Sequence, residues 1–391
     1  MPGSYSNLED IDVKNKKVFV RVDFNVPLKD GKVTDTTRID ATIKTLDYIT
    51  AHDGLAIVAS HLGKPKGKDE NLSLRPIAPI LEAKIGAKTI MADDCVGENV
   101  KKIIAGEKRG GRIILLDNLR YHKGEEEDGP EFIEELVDLG ADIYVDDAFG
   151  TAHRKHASNY GLPLRFKELG KIVAPGYCML NEINLWGPIL NTKRGIAIVG
   201  GAKLEEKIKA VDYFSKVFDH VILGGLVSHF FLKASGLSMG NAPYILDEKN
   251  AKYIKKAEEI LNGKYGPKLI LPSRVVVADY DFKGRDIMDP KDIPDGKMAV
   301  DVLSSEENCE LIGKYKTCIW FGPPGAFEKE GCRGGTDLIV NAIDSDSYCV
   351  IGGGDSAVFA KDIKNSKVST GGGASIEYIL NKDLPALEAL R

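Results

Sequence analysis

The chain has 391 residues, 43% of them apolar, and carries 53 Lys plus Arg against 58 Asp plus Glu, a formal net charge of −5. That length supplies two cores of ordinary domain size, while the mildly acidic balance offers no surface for nucleic acid or anionic membrane. No apolar run approaches membrane-spanning length, Met1 to Asp10 lacks a signal-peptide core, and the six cysteines form no C-x-x-C pair, so a cytoplasmic protein with reduced, structural thiols is expected.

Val18 to Val22 reads as an apolar strand ending in Arg21-Val-Asp-Phe-Asn-Val-Pro27. Asp35 or Thr36 can then cap a helix with Ile39, Ile43, Leu46 and Ile49 on one face. The alternation continues with strand Leu55 to Ala59, helix Pro76 to Ile85, strand Lys88 to Met91, helix Val96 to Ala105, strand Ile113 to Leu116, helix Glu131 to Leu139 and strand Ile143 to Val145. Solidly apolar strands alternating with helices argue a parallel sheet covered on both faces. Val173 to Leu190 reads as one longer helix and is assigned as the connector between a first domain, 1–172, and a second, 191–377. The second alternates again: strand Gly195 to Val199, helix Leu204 to Phe214, strand His220 to Leu223, helix Val227 to Ala234, helix Asp247 to Leu261, strand Leu269 to Leu271, antiparallel pieces within Val275 to Ile293, and strand Thr317 to Trp320. Leu380 to Arg391 is too short to stand alone and must lie on something.

Two glycine turns close the second domain, Tyr348-Cys-Val-Ile-Gly-Gly-Gly-Asp-Ser and Lys367-Val-Ser-Thr-Gly-Gly-Gly-Ala-Ser, each a strand running into a helix start. Consecutive glycines let main-chain amides approach a ligand without a Cβ, and a helix start adds its orphan donors, so an anion such as phosphate is favoured; a single such run would read equally as a flexible turn. Asp355 is either an N-cap or a group facing the Mg²⁺ of a nucleotide. Neither G-x-x-x-x-G-K-[ST] nor G-x-G-x-x-G occurs, which disfavours a Walker-type NTPase and a typical dinucleotide-dependent oxidoreductase.

In the first domain the strand ends carry Arg21, Asp23 and Asn25; Ser60-His61-Leu-Gly-Lys64; Asn118-Leu-Arg120-Tyr-His122; and Phe149-Gly-Thr-Ala-His153-Arg154-Lys-His156, with Arg38 on the first helix. Singly each cation is an ordinary solvated charge. Converging from several loops beyond the strands' carboxyl ends, they would form a focused anion site, and Arg supplies bidentate geometry for phosphate or carboxylate. His153 and His156 have metal-ligand spacing, but no Cys or carboxylate cluster accompanies them in sequence, and a metal is not expected there.

The motifs RVDFNVP at 21–27, SHLGKP at 60–65, LLDNLRYH at 115–122, FGTAHRKHAS at 149–158, IVGGAKLEEKI at 198–208, GPPGAFE at 322–328, GGGDS at 352–356 and STGGGAS at 369–375 stand in one order, and in them the chain resembles the phosphoglycerate kinases. The resemblance implies an α/β protein of two Rossmann-like lobes, each a parallel sheet covered by helices and joined by the 173–190 helix, with the tail 378–391 returning to the first. It implies a monomer in which the first lobe binds 3-phosphoglycerate or 1,3-bisphosphoglycerate and the second binds Mg-ATP or Mg-ADP, with transfer on closure. Carried over onto matching positions, Arg21, Asp23, Asn25, Arg38, His61, Leu62, Gly63, Lys64, Arg120 and Arg154 bind the glycerate. Gly201, Ala202, Lys203, Lys207, Gly225, Pro323, Glu328, Gly353, Gly354, Asp355 and Ser356 bind the nucleotide, Glu328 at the ribose and Asp355 at the metal; Arg38, Lys203, Gly372 and Gly373 serve the migrating phosphoryl group.

The chain also departs from the family pattern. Lys64 stands where SHLGRP has arginine, Phe321 replaces the asparagine of WNGP, Leu226 the third glycine of a GGG run, Arg274 the aspartate of LPVD, and Val302-Leu303-Ser304 an Ile-Gly-Pro. Phe321 and Leu226 are expected near base and ribose, which predicts loose discrimination between ATP and GTP. A rival reading is a catalytically weak relative retained as a binding or regulatory module; a more distant one is an unrelated nucleotide-sugar or oxidoreductase fold.

Overall fold

The computed structural model describes residues 5–107, 110–192, 194–303, 305–353, 356 and 358–391. It divides into two compact units, one of Met1–Asn184 with Glu377–Arg391 and one of Leu185–Ile376.

In the first unit, β1 (Lys17–Arg21), β2 (Leu55–Ala59), β3 (Lys88–Met91), β4 (Arg112–Leu115), β5 (Ile143–Asp146) and β6 (Ile172–Pro175) form a six-stranded sheet in the order β3-β4-β2-β1-β5-β6. Every pairing is parallel. The inner strands are largely apolar because both faces are covered, while the edge strand β3, Lys88-Thr-Ile-Met, is only partly buried. Val18 and Val20 of β1 enter one core with Ile39, Leu46 and Leu81, while Phe19 between them enters the other with Val100, Leu136 and Phe166. Each such fully buried aliphatic side chain contributes about 1.5–3 kcal/mol. From β4 the chain crosses back past β1 to add β5 and β6 on the other side, so the topological switch lies beside the carboxyl end of β1, where ligands of open α/β sheets bind. Asp35 Oδ1 accepts the Thr37 amide at 2.7 Å and opens the helix Thr37–Ala51.

Val173 to Leu190 is not one helix. Residues 173–175 belong to β6, the β-branched Ile172-Val173 pair filling the free edge of β5. The helix begins at Tyr177 and runs to Asn191. Asp147 Oδ1 accepts the amides of Cys178 and Met179 at 2.8 and 3.2 Å, satisfying the first turn. Gly176 is required between them, since a Cβ there would lie 2.2 Å from the same carboxylate oxygen. The division between the units falls inside this helix, and Pro385–Leu390 packs on the first unit, the Ala386 amide donating to the Ala152 carbonyl at 3.0 Å.

In the second unit, β7 (Ile196–Val199), β8 (His220–Leu223), β9 (Leu269–Ile270), β13 (Thr317–Phe321), β14 (Tyr348–Gly352) and β15 (Lys367–Ser369) form a second six-stranded parallel sheet, ordered β9-β8-β7-β13-β14-β15. The antiparallel pieces expected within Val275 to Ile293 are β10 (Arg274–Ala278) and β11 (Asp286–Met288), and β12 (Met298–Leu303), beyond that segment, joins them in the order β11-β10-β12. Two helices that the periodicity did not indicate, Glu306–Lys314 and Gly334–Ala342, complete the cover. No described helix is long and apolar enough to cross a membrane, and Cys95, Cys309, Cys318, Cys332 and Cys349 are free thiols.

Candidate functional site

At the carboxyl ends of β1, β2, β4 and β5 the first unit gathers its cations. Arg38, from the helix after β1, donates through Nη1 to Asp23 Oδ2 at 2.6 Å. Asn25 Oδ1 accepts the Gly63 amide at 2.9 Å, and Arg120 Nη1 donates to the Gly63 carbonyl at 2.8 Å, so the strand-end turn carrying His61, Leu62 and Gly63 is held from both sides. Asn118 holds the same turn from beneath, accepting the Leu62 amide at 3.2 Å and donating to the Leu62 carbonyl at 2.7 Å. Gly63 adopts φ +62°, a left-handed conformation that favours glycine.

His61 is buried, and burial, then Arg21, Arg120 and Arg38, hold its imidazole well below the ordinary histidine range. Burial, then Arg21, Arg120 and Arg154, push His156 down to about 3. Both rings are therefore neutral donors within a cationic cluster. Arg120 spends Nη2 on Glu126 at 3.1 Å and keeps a buried Nε without a partner among the described residues. Exposed Lys64 and Arg154 form no ion pair among the described residues, Arg154 Nε lying 3.2 Å from His153 Nε2. Arg38 and Arg120 each have a carboxylate partner, so Lys64 and Arg154 are the surplus charges among the described residues.

Arg21 departs from the expectation that it touches ligand. It is 0% exposed, with Nε donating to Ser158 Oγ at 2.7 Å, Nη1 to the Val22 carbonyl, and Nη2 set 3.4 Å from His61 Nδ1. It lies at the sheet's centre, in register with Ala59 and Asp146, where neighbours on both sides close over it. A further cluster, Asp94, Cys95 and His122, brings three metal-ligating side chains together; His122 Nε2 is engaged by Asp94 Oδ1 at 2.7 Å.

In the second unit, Gly200 and Gly201 follow β7 and Lys203 stands at the N-cap of the helix Leu204–Val217, exposed together with Ala202. Lys207, one turn on, is buried with Nζ 5.1 Å from the Phe321 ring centroid. The glycines here stack backbone on backbone. The Gly201 amide donates to the Pro323 carbonyl at 2.8 Å and the Gly225 amide to the Pro324 carbonyl at 2.7 Å. Those amides, expected at phosphates, are engaged by protein, as is Ser356, whose buried Oγ accepts the Gly322 amide at 2.9 Å. Gly353, Gly372 and Gly373 have open space where a Cβ would stand, the first two at φ +94° and +55°. Gly373 opens the helix Gly373–Asn381, where the Gly371 amide donates to Ser369 Oγ at 3.2 Å and the Ala374 amide to the Gly371 carbonyl at 3.1 Å. Glu328 is exposed. Gly354, Asp355 and Ser304 lie outside the described residues.

Phe321 does not line the site. It is 0% exposed, stacked on Trp186 at 5.9 Å and packed on Phe214, and it faces Gly352 across the register, where a Cβ would meet its ring at 2.3 Å. Leu226 packs on the core around Phe230. Sequence reasoning instead missed a shallow apolar cleft, enclosing only about 10 Å³, at the ends of β7, β8, β9 and β12, walled by Ile222, Leu271, Val302, Leu303 and Pro324, with Asn308 as its single polar side chain among the described residues. The signal was the apolar sequence running on past each strand end, as in Leu271-Pro272.

One unit thus presents surplus guanidinium and ammonium groups with neutral imidazoles, suited to a small polyanion. The other presents exposed Lys203, glycine turns with open space at Gly353, Gly372 and Gly373, and the shallow apolar cleft. A family model described as phosphoglycerate kinase matches residues 8–382. The chain is 41% identical to a cytosolic phosphoglycerate kinase of Triticum aestivum over 99% of this chain and 98% of that one. It is 38% identical to a phosphoglycerate kinase of Clostridium botulinum over 98% of each. The structure of phosphoglycerate kinase from Pyrococcus horikoshii OT3 superposes with a TM-score of 0.84 at 30% identity, covering 98% of each chain.

Proposed function

The chain belongs to the phosphoglycerate kinase family, and from that membership we propose how its two units divide the work. The reaction is reversible phosphoryl transfer between 1,3-bisphosphoglycerate and ADP, giving 3-phosphoglycerate and ATP, a glycolytic step. We assign the glycerate to the first unit. The observation that carries this is the cluster of Arg38, Arg120 and Arg154 around neutral His61 and His156. Asp23, Asn25, Leu62, Gly63 and Lys64 complete that contact set, Asp23 by holding Arg38.

The nucleotide goes to the second unit, its base in the apolar cleft, its ribose near exposed Glu328, and its phosphates along Ala202, Lys203, Lys207 and the turns at Gly353 and Gly372–Gly373. Mg²⁺ enters as part of the nucleotide substrate, and Asp355 is the residue assigned to it. Phosphoryl transfer asks for positioning and charge stabilisation rather than a covalent intermediate. The acceptor is already an anion, so no general base is needed; Arg38, Lys203 and the Gly372 and Gly373 amides take the charge that spreads over the equatorial oxygens. Direct in-line transfer requires the units to bring their ligands within reach and to exclude water from the acyl phosphate, and we propose hinge motion for this. A cytoplasmic monomer working in glycolysis and gluconeogenesis fits the relatives described as cytosolic.

A coupled assay of ATP formation from 1,3-bisphosphoglycerate and Mg-ADP tests the proposal. Turnover is expected; none above background from well-folded protein would leave a binding or regulatory module in its place.

A further inference from the structure

We propose that Arg21 is a positioning residue: held by Ser158 and Glu125 behind the anion site, it fixes His61 in the neutral tautomer whose Nε2–H is the donor offered to the glycerate. This rests on the assignment of the glycerate to the first unit.

A guanidinium has only donors and stays charged in a protein. Arg21 Nη2 lies 3.4 Å from His61 Nδ1, so that nitrogen must present its lone pair, and the ring hydrogen falls to Nε2. The rest of the network runs in one direction. The Ser158 hydroxyl donates to Glu125 Oε1 at 2.7 Å and the Ser158 amide to Oε2 at 3.0 Å. The hydroxyl oxygen is thereby left to accept from Arg21 Nε at 2.7 Å. Tyr144 Oη donates to the Ser158 carbonyl at 2.7 Å and pins that residue. Glu125, fully buried and 3.9 Å from Arg21 Nη2, supplies the counter-charge without reaching solvent. A hydrogen on His61 Nδ1 would point at a cation, which excludes both the other tautomer and the imidazolium. The site thus gains a donor aimed at an anion without a further charge that the enzyme would have to leave unpaired when product departs.

The tautomer is read directly by two-bond ¹H–¹⁵N NMR of the histidine rings, with His61 assigned through His61→Gln. Wild-type protein should show an unprotonated Nδ1 and a protonated Nε2 from pH 8 to pH 5, and Ser158→Ala or Arg21→Met should move the ring toward the mixed or protonated form. Removing Arg21 leaves Glu125 buried without its cation; Ser158→Ala avoids that loss and keeps the question answerable if Arg21→Met does not fold. In kinetics, Arg21→Met should raise KM for 3-phosphoglycerate about tenfold, the scale of one lost hydrogen bond. His61→Gln supplies an amide donor with no tautomer to fix, and in that background Arg21→Met should shift KM by less than about twofold. Equal KM effects in both backgrounds would make Arg21 a direct contact, and a wild-type Nδ1–H tautomer would overturn the proposal. Because the NMR arm needs no turnover, an inactive but correctly tautomerised protein would count against the assigned reaction and not against this network.

Discussion

Arg38 Nη1 and Asp23 Oδ2 are joined across 2.6 Å, an ion pair that pins the arginine's end while leaving its side chain 38% exposed. A cation so anchored meets the migrating phosphoryl group at full strength only in the transition state, and such interactions appear in kcat. Arg38→Ala should lower kcat by at least about 10²-fold, the scale for one preorganised donor, with little change in glycerate affinity. As a mere surface charge it would be worth about 0–1 kcal/mol of stability and nothing to catalysis. Steady-state kinetics of the folded variant decide it: unchanged kcat with raised KM would demote Arg38 to a binding residue.

Lys64 is exposed, with no carboxylate partner among the described residues. It should hold substrate equally in ground and transition states, so Lys64→Ala is expected to raise KM for 3-phosphoglycerate and leave kcat nearly unchanged. Lys64→Arg restores the fork and should lower KM. A fall in kcat without a KM effect would contradict this role.

Two glycines of the second unit should respond oppositely to one methyl group. At Gly200 a Cβ would lie 2.2 Å from the Pro323 carbonyl, a backbone atom that cannot step aside, so Gly200→Ala should destabilise the unit by about 1–3 kcal/mol. At Gly372, φ +55° costs about 1–2 kcal/mol for alanine, but the space is open. There the methyl would stand where the phosphate is proposed to approach, and Gly372→Ala should lower kcat at least about tenfold, the scale of one lost hydrogen bond. Thermal melts beside kinetics check both; normal turnover of Gly372→Ala would remove the turn from the phosphate site.

Nucleotide choice should be loose, on a different ground from Phe321. A base placed in the cleft as proposed would meet apolar walls and, among the described residues, one polar side chain, the amide of Asn308, which recognise shape more than purine edges. kcat/KM for ADP over GDP is expected below about 10², roughly 2.7 kcal/mol of transition-state binding. A larger ratio would show recognition of the base's polar edge.

His229 gives the second unit an acid sensitivity. Burial pushes its imidazole down to about 4, while Nδ1 bonds Tyr244 Oη at 2.9 Å. Below its unfolded value near 6.5 the unfolded chain binds the proton and the folded one does not, so stability is lost as pH falls from about 6.5 toward 4, on the order of 3 kcal/mol in full. His229→Gln keeps a bonding group without the titration. Urea unfolding at pH 7 and pH 5 should show a smaller acid loss for the variant; equal slopes would mean His229 is not the proton acceptor.

Parallel strands were legible where burial on both faces leaves apolar runs: Leu55–Ala59 and His220–Leu223 are as expected to the residue, and so is the less buried edge strand Lys88–Met91. What sequence could not show was pairing. Val173-Ala-Pro continues an apolar helical pattern, and only the open edge of β5 makes it a strand. The convergence of Arg38, Arg120 and Arg154 was readable from strand-end positions, yet the same logic placed Arg21 at the ligand, because nothing in RVDFNVP reveals that register sets this arginine between Ala59 and Asp146. Phe321 misled similarly: a departure within a site motif was expected to face the site, whereas Gly352 opposite makes room for its ring inside the core.

The return of Glu377–Arg391 to the first unit bears on biosynthesis. A ribosome that has delivered every strand of the first sheet has not delivered the segment whose Ala386 amide meets Ala152, nor Leu390, which sits in the core beside Phe166. The first unit must wait, incompletely covered, while the whole of the second is synthesised, and it gains its final cover only once nascent residues beyond 376 emerge from the exit tunnel. The half begun first is therefore completed last, and chaperone demand during translation should centre on the first unit.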